Sequence, residues 1–361
     1  MREKLKYWIA FNRIAGIGAA RLQKLIITFG DVEKAWKASP LELSAAGYNA
    51  AWVRKFVQKR HRVDLESLLK KTFDTISSIY IRGEQGYPRR LAEIDNPPPV
   101  LFSIGEIIDA DQFAVAIVGS RKPTSYGKRV AQDLAAALAL NGVTVISGLA
   151  RGIDSIAHRS ALEAGGRTLA VLGSSLDQIY PPEHVRLAES ISSAGAVVSD
   201  YPIGTRPEAK NFPPRNRIIS GLALGVVIIE AGRRSGALIT ARFAAEHGRE
   251  VFVVPGSIYN PNLEGSHNLI LQGANLFTSI AAFMLSMNFE MVRLQDEASD
   301  YLPLSAEEQR ILSELSRTPI HINELGIRCK LSSGNLAAQL VLLAMKGRVK
   351  ELGSMNYIRL K

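Results

Sequence analysis

The run Phe-Ala-Val-Ala-Ile-Val at residues 113–118, which breaks at once onto Gly119-Ser120-Arg121, decides how this chain folds. An unbroken apolar run of this length reads as a strand covered on both faces, and such strands belong to parallel sheets. Outward from it the pattern repeats. Residues 128–140 read as a helix, and residues 143–146 form a second apolar run ending on Ser147-Gly148. Further runs at 168–172 and 196–198 end on Gly173-Ser174-Ser175 and Ser199-Asp200-Tyr201. Those at 226–229 and 251–254 end on Glu230-Ala231-Gly232-Arg233 and Pro255-Gly256-Ser257. Strands alternating with helices predict an α/β fold with a doubly wound, mostly parallel sheet. Ligands of such sheets bind beyond the carboxyl ends of the strands, so these small, hydroxylated and charged residues converge on one predicted site.

That site suits phosphate without being a dinucleotide fold. The turn Gly119-Ser120-Arg121-Lys122-Pro123-Thr124 lacks the G-x-G-x-x-G spacing, and no G-x-x-x-x-G-K-[ST] loop occurs in the chain. The turn offers backbone N–H groups, the Ser120 hydroxyl, and the Arg121 guanidinium, which can clasp a phosphate through two bonds, with Lys122 beside it. Taken alone, the triplet reads equally well as a plain strand-to-helix turn with a solvated arginine.

Basic residues at other strand ends shift that balance. Gly148, Arg151 and Gly152 follow the second strand, and residues 206–217 read Arg-Pro-Glu-Ala-Lys-Asn-Phe-Pro-Pro-Arg-Asn-Arg. This segment sets Arg206, Lys210, Arg215 and Arg217 around one aromatic, Phe212, in a Pro-rich stretch that reads as too irregular for a helix. Cations spaced along a phosphate backbone, with an aromatic face for a base, are the pattern of single-strand binding. The alternative for Phe212 is a core anchor.

Residues 87–284 resemble the DNA-processing protein A family, also called DprA or Smf. The likeness is carried by Ala116-Ile117-Val118-Gly119-Ser120-Arg121, by Ser147-Gly148-Leu149-Ala150-Arg151-Gly152-Ile153-Asp154, and by Asn211-Phe212-Pro213-Pro214-Arg215-Asn216-Arg217-Ile218-Ile219. Glu230-Ala231-Gly232, Ser235-Gly236-Ala237-Leu238-Ile239-Thr240 and Val254-Pro255-Gly256-Ser257 match in the same order. The resemblance implies an extended Rossmann-like core that binds single-stranded DNA, forms a homodimer and loads the RecA recombinase during natural transformation. It implies no enzyme activity and no cofactor. Residues 269–283 are the dimer interface by the same analogy. The family's Gly-Ser-Arg pocket carries over to Ser120 and Arg121, and its rim to Lys210 and Phe212. The basic residue is expected three positions before the aromatic, where this chain has Ala209; Lys210 stands two before it. Asn216 would fix the loop or bond a phosphate.

Composition agrees with a polyanionic partner. The 361 residues carry a formal charge of +10, which raises encounter rates with nucleic acid without bearing on fold. The single cysteine, Cys329, excludes an intrachain disulfide and a cysteine-rich metal site. Histidines 61, 158, 184, 247, 267 and 321 fall singly, so no metal is expected. The opening residues lack an apolar signal core, and no run reaches the roughly 18 apolar residues of a membrane span, so a cytoplasmic protein is expected.

Four regions are expected. Residues 1–71 read as a helical module of helix-hairpin-helix or SAM-like type, in which Gly16 and Gly18 either present N–H groups to a DNA phosphate or merely turn the chain between helices. Residues 72–287 form the core, with short strands at 79–81 and 100–103, and residues 288–304 read as a linker. Residues 305–361 read as a winged-helix domain, with helices at 306–317, 322–328 and 333–345 and a terminal hairpin. Its third helix offers Ser332, Ser333, Asn335 and Gln339 but no cation before Lys346, so groove reading has weak support and a protein-contact or dimer-stabilising role fits at least as well. Cys329 reads as a buried small hydrophobe.

An enzyme is the rival reading: a nucleoside-monophosphate phosphoribohydrolase of the lysine-decarboxylase-like family, which shares the core and a P-G-G-x-G-T-x-x-E loop. Aligning Gly232 and Gly236 on that loop puts Arg233 at its central glycine and Thr240 at its catalytic carboxylate. The chemistry is therefore missing. Glu230 could supply a base, but at a strand end it reads equally well as a pin for Arg233 or a backbone turn. Asp154 and His158, spaced i and i+4, lack a nucleophile or orienting group beside them and read as a helix-start cap and a packed histidine.

Overall fold

The computed structural model describes residues 2–14, 16–289, 305–316, 319–345, 348–351, 353 and 355–359. The chain divides into two compact units, Met1–Met287 and Asn288–Lys361. The expected linker at 288–304 falls outside the described residues save for its first two.

The first unit begins with helices α1 (Arg2–Arg13), α2 (Ala19–Phe29), α3 (Val32–Lys37), α4 (Pro40–Ala45), α5 (Ala50–His61) and α6 (Leu65–Phe73). Four of them are started by side chains: Asp31, Ser39, Asn49 and Asp64 each accept a backbone N–H of the following turn. Their inner faces meet in an aromatic core. The Phe11 and Phe56 rings stack at 5.8 Å, and Trp36 sets its edge against both. This core runs without a break into side chains of the sheet, including Phe102, Leu172 and Val197.

The rest of the unit is built on the sheet. In chain order it comprises β1 (Ser78–Ile81), α7 (Arg89–Ala92), β2 (Val100–Gly105), β3 (Ala114–Gly119), α8 (Ser125–Leu140), β4 (Thr144–Ser147) and α9 (Ile153–Glu163). Then follow β5 (Thr168–Val171), α10 (Val185–Ala194), β6 (Ala196–Ser199), α11 (Phe212–Leu222), β7 (Gly225–Ile229) and α12 (Ala237–Glu246). The unit ends with β8 (Glu250–Val253), α13 (Glu264–Leu271), β9 (Asn275–Leu276) and α14 (Ile280–Ser286).

The strand order is β1-β2-β6-β5-β4-β3-β7-β8-β9. All pairings from β6 to β9 are parallel, and β2 joins β6 and β1 antiparallel. Strands β4 to β7 are buried along their whole length, as their unbroken apolar runs require. The chain lays β3, β4, β5 and β6 outward in one direction, then crosses back to set β7 on the other side of β3. A crevice opens at such a switch point, here between the carboxyl ends of β3 and β7.

One expectation is corrected. Residues 206–217 read from their prolines as too irregular for a helix, but from Phe212 onward they belong to helix α11, Phe212–Leu222. Pro213 and Pro214 sit in its first turn, where the amides have no intrahelical acceptor and a fixed φ favours the helix.

The second unit contains α15 (Ala306–Glu314), β10 (Ile320–His321), α16 (Ile322–Cys329), α17 (Ser333–Met345), β11 (Val349–Glu351) and β12 (Asn356–Arg359). The strands pair as β10-β12-β11, and the helices close over a core of Ile311, Leu325, Leu336 and Leu340. This is a winged-helix arrangement. Cys329 is buried in that core, and burial pushes its thiol up.

Candidate nucleic-acid interface

A cleft of about 840 Å³ occupies the switch point. Its walls are the Val118–Lys122 turn after β3, the start of α11, and the Gly232–Ala237 loop after β7. Ser120, Arg121, Lys122, Phe212, Arg215 and Asn216, all proposed from sequence, come together here.

The β3 turn is held rigidly from beneath. Ser120 donates its amide to the Ile229 carbonyl at 3.1 Å, and its own carbonyl receives the Ile153 amide at 3.1 Å. Gly152 runs at φ +79° directly under this turn, where any Cβ would strike the Ser120 carbonyl oxygen. Its glycine serves that backbone approach. Beside the turn, Glu230 is buried and accepts both the Thr124 amide, at 2.8 Å, and the Thr124 hydroxyl. Thr124 in turn caps α8, so the carboxylate fixes where that helix begins.

Above this scaffold the side chains are open. Arg121, Lys122 and Arg234 are exposed and form no ion pair among the described residues. Arg233 lies 3.8 Å from Glu264, an exposed and weak pairing. The half-buried Phe212 ring leans on Gly173 and has the Arg215 guanidinium 5.8 Å from its centroid.

Other residues expected on a phosphate track are placed differently. Arg215 is buried, donating to the carbonyl oxygens of Gly148, at 2.9 Å, and Val171, while its Nε reaches Asn216 at 3.1 Å. Burial pulls its pKa down to about 10. Asn216, also buried, donates to the Gly236 carbonyl at 3.3 Å and ties α11 to the loop after β7. Arg217 faces away from the cleft and pairs with Asp200 at 2.8 Å. The helix explains this: it sets three consecutive side chains about 100° apart, so Arg215 turns to the ends of β4 and β5, Asn216 to the loop after β7 and Arg217 to Asp200. The Gly148 amide is likewise engaged, donating to Asp154 Oδ2 at 3.1 Å. Burial pushes the Asp154 carboxyl up, with Arg215 and these amides opposing.

Two more cations lie off the cleft wall and are paired. Lys210 meets Glu208 at 2.6 Å, whereas Ala209 lines the cleft. Arg151 meets Glu183 at 2.5 Å, and the contact raises the arginine and lowers the carboxyl. Gly16 and Gly18 belong to the turn between α1 and α2, where the Gly16 carbonyl accepts from Arg21. Asp154 and His158 make separate contacts, His158 Nδ1 lying 2.7 Å from Thr168 Oγ1.

Sequence reasoning passed over Tyr180 and Arg234, which both line the cleft. The available signal was position: each follows the carboxyl end of a strand. Among the described residues no cluster of His, Cys, Asp or Glu is arranged to hold a metal, and no helix is long and apolar enough to cross a membrane.

Comparison with known proteins agrees with this geometry. Residues 78–288 match the family described as DNA recombination-mediator protein A, and residues 295–354 match the DprA winged helix domain. Protein Smf of Synechocystis is 33% identical over 98% of both chains. The X-ray structure of DprA from Streptococcus pneumoniae is 35% identical, covers 78% of this chain and 97% of its own, and superposes with a TM-score of 0.68. DprA from Helicobacter pylori, studied for its single-stranded DNA binding mode, is 29% identical, covers 59% of this chain and 97% of its own, and gives a TM-score of 0.53. With a doubly wound core, a winged-helix unit and matches along nearly its whole length, the chain belongs to the DNA recombination-mediator protein A family, DprA or Smf.

Proposed function

We propose that this protein binds single-stranded DNA without sequence preference in the cleft between β3 and β7, and from there loads RecA during natural transformation. The observation that carries the reading is the pairing of open cations with an aromatic at one switch point. Arg121, Lys122 and Arg234 stand free of ion pairs among the described residues, around the half-buried ring of Phe212. Cations of this kind hold phosphates by charge, and the ring stacks a base of any identity. No side chain that reads a base edge is required.

The glycosidic-hydrolysis alternative has little in its favour. Glu230, the carboxylate nearest the β7 turn, is already bonded to Thr124 and capping α8 through it. The protein acts by binding, in the cytoplasm, where incoming strands meet RecA. A homodimer places two clefts on one strand and raises avidity through effective concentration. Exposed Leu271 and Leu276, beside the β9 edge of the sheet, support residues 269–283 as its interface.

Fluorescence anisotropy with a labelled homopolymer strand, and with duplex of the same length, tests the binding. Preference for the single strand supports the reading; equal or absent binding overturns it. RecA filament growth on a strand already coated with this protein tests the loading, and no acceleration would remove that part.

A further inference from the structure

We propose a second base-stacking subsite on Tyr180, so that the cleft takes two successive unpaired nucleobases, one on Phe212 and one on Tyr180. The inference rests on the single-strand reading above and adds a residue and a stoichiometry to it.

Tyr180 and Phe212 line the same cleft, with ring centroids 5.8 Å apart and planes inclined at 57°. Tyr180 stays 38% exposed although it is anchored on one side. The Arg151 guanidinium lies 6.0 Å from its ring centroid and is itself fixed by Glu183 at 2.5 Å. Phe212 is braced from another direction by Gly173, whose Cβ would stand 2.9 Å from the ring. The two aromatics are thus held by independent contacts and keep their mutual tilt without a ligand.

That tilt selects the ligand. Bases of a duplex rise about 3.4 Å per step with nearly parallel planes, so two neighbouring duplex bases cannot each lie flat on rings inclined at 57°. A single strand can, by unstacking one step and bending its backbone between the rings. Arg151 is then the cation beside the Tyr180 base, and Arg121 is a cation lining the same cleft. This gives Arg151 a positioning role toward Tyr180, although it does not itself line the cleft.

The test uses the full chain with oligothymidylate carrying one or two adjacent 2-aminopurines, whose fluorescence is quenched on stacking against an aromatic ring. Wild type is expected to quench both probes. Tyr180→Ala is expected to spare one probe and weaken binding by roughly 5- to 100-fold with the salt slope unchanged, as for the loss of one stacked base. Tyr180→Phe is expected to behave as wild type. Tyr180→Leu keeps apolar bulk but lacks a π face, and stands in for the alanine variant if that variant fails to fold. The proposal is overturned if Tyr180→Ala and Tyr180→Leu bind as wild type while Phe212→Ala is weakened, and the single-strand reading then survives. It is also overturned if Tyr180→Phe is as weak as Tyr180→Leu, because the hydroxyl would then be the active group. Should neither aromatic matter while the strand still binds, the proposal is overturned and the single-strand reading stands; should the wild type not bind the strand at all, both fall.

Discussion

Arg215 fills the space left by the missing side chain of Gly148: its Nη2 lies 2.7 Å from where a Cβ on residue 148 would stand, and its Nη1 donates to the Gly148 carbonyl at 2.9 Å. The guanidinium therefore joins the end of β4 to the end of β5 beneath the cleft. Arg215→Met keeps the bulk but strands two buried carbonyls, at about 1–3 kcal/mol for each group left unsatisfied. Gly148→Ala drives a methyl into the guanidinium, at roughly 1–3 kcal/mol for overpacking. Urea unfolding followed by circular dichroism is expected to show both losses.

Arg217 and Asp200 form a half-hidden pair whose role is structural. Burial pushes the Asp200 carboxyl up, Arg217 opposes this, and one atom of each side chain has no hydrogen-bond partner in the structure. Arg217→Met is expected to destabilise the fold by roughly 3–5 kcal/mol, the cost of leaving one partner of a buried pair alone. The salt slope of DNA binding by the folded variant is expected to match wild type. A slope reduced by one phosphate contact would return Arg217 to the DNA track.

Acid sensitivity has an identifiable source in His158. Burial pushes this imidazole down to about 3, with His184, Arg215 and Arg159 adding to the effect. The folded state keeps it neutral while the unfolded chain protonates near 6.5. Its contribution is full above pH 6.5 and is lost as pH falls toward 3, at about 1.4 kcal/mol per pH unit. Asp154 and Asp200, both pushed up by burial, act in the opposite sense: they lower stability as pH rises from the ordinary carboxylate range through their raised values. Comparing wild type with His158→Asn removes the carboxylate contribution. The difference between the two is expected to shrink by about 2 kcal/mol from pH 7 to pH 5, read from urea midpoints.

Glu230 is expected to matter for folding and for no bond-breaking step. Glu230→Gln replaces an acceptor by a donor opposite Thr124, whose amide and hydroxyl both need acceptors. A loss of about 1–3 kcal/mol is expected in thermal unfolding. Thr124→Val in the same background is expected to cost less than it does alone. Release of a free base from nucleoside monophosphate by the wild-type chain, abolished in Glu230→Gln, would contradict this assignment.

Much of this architecture is visible in residue pattern because parallel strands need apolar side chains on both faces, and β4 to β7 satisfy that need without interruption. Their polar ends located the cleft for the same reason. The fates of Arg215 and Arg217 were hidden, since an arginine's burial depends on which carbonyls the tertiary fold brings beside it. For Arg215 those carbonyls belong to Gly148 and Val171, distant in the chain, and Arg217 is held instead by the carboxylate of Asp200. Helix α11 was masked by Pro213 and Pro214, whose effect depends on where the helix starts. Strand β9, only Asn275–Leu276, is too short to leave a period. Tyr180 carries no motif and acquires meaning only from its distance to Phe212.

The central claim concerns Arg121, and the most direct measurement is the salt dependence of homopolymer single-strand binding by wild type and Arg121→Ala. The guanidinium is exposed and free of ion pairs among the described residues, so the variant is expected to unfold within about 0.5 kcal/mol of wild type. Its affinity is expected to fall alike for every homopolymer, and its slope of log K against log salt to flatten by about 0.7, the release of one phosphate's counterions. Unchanged affinity and slope would contradict the account and move the DNA away from the β3–β7 cleft.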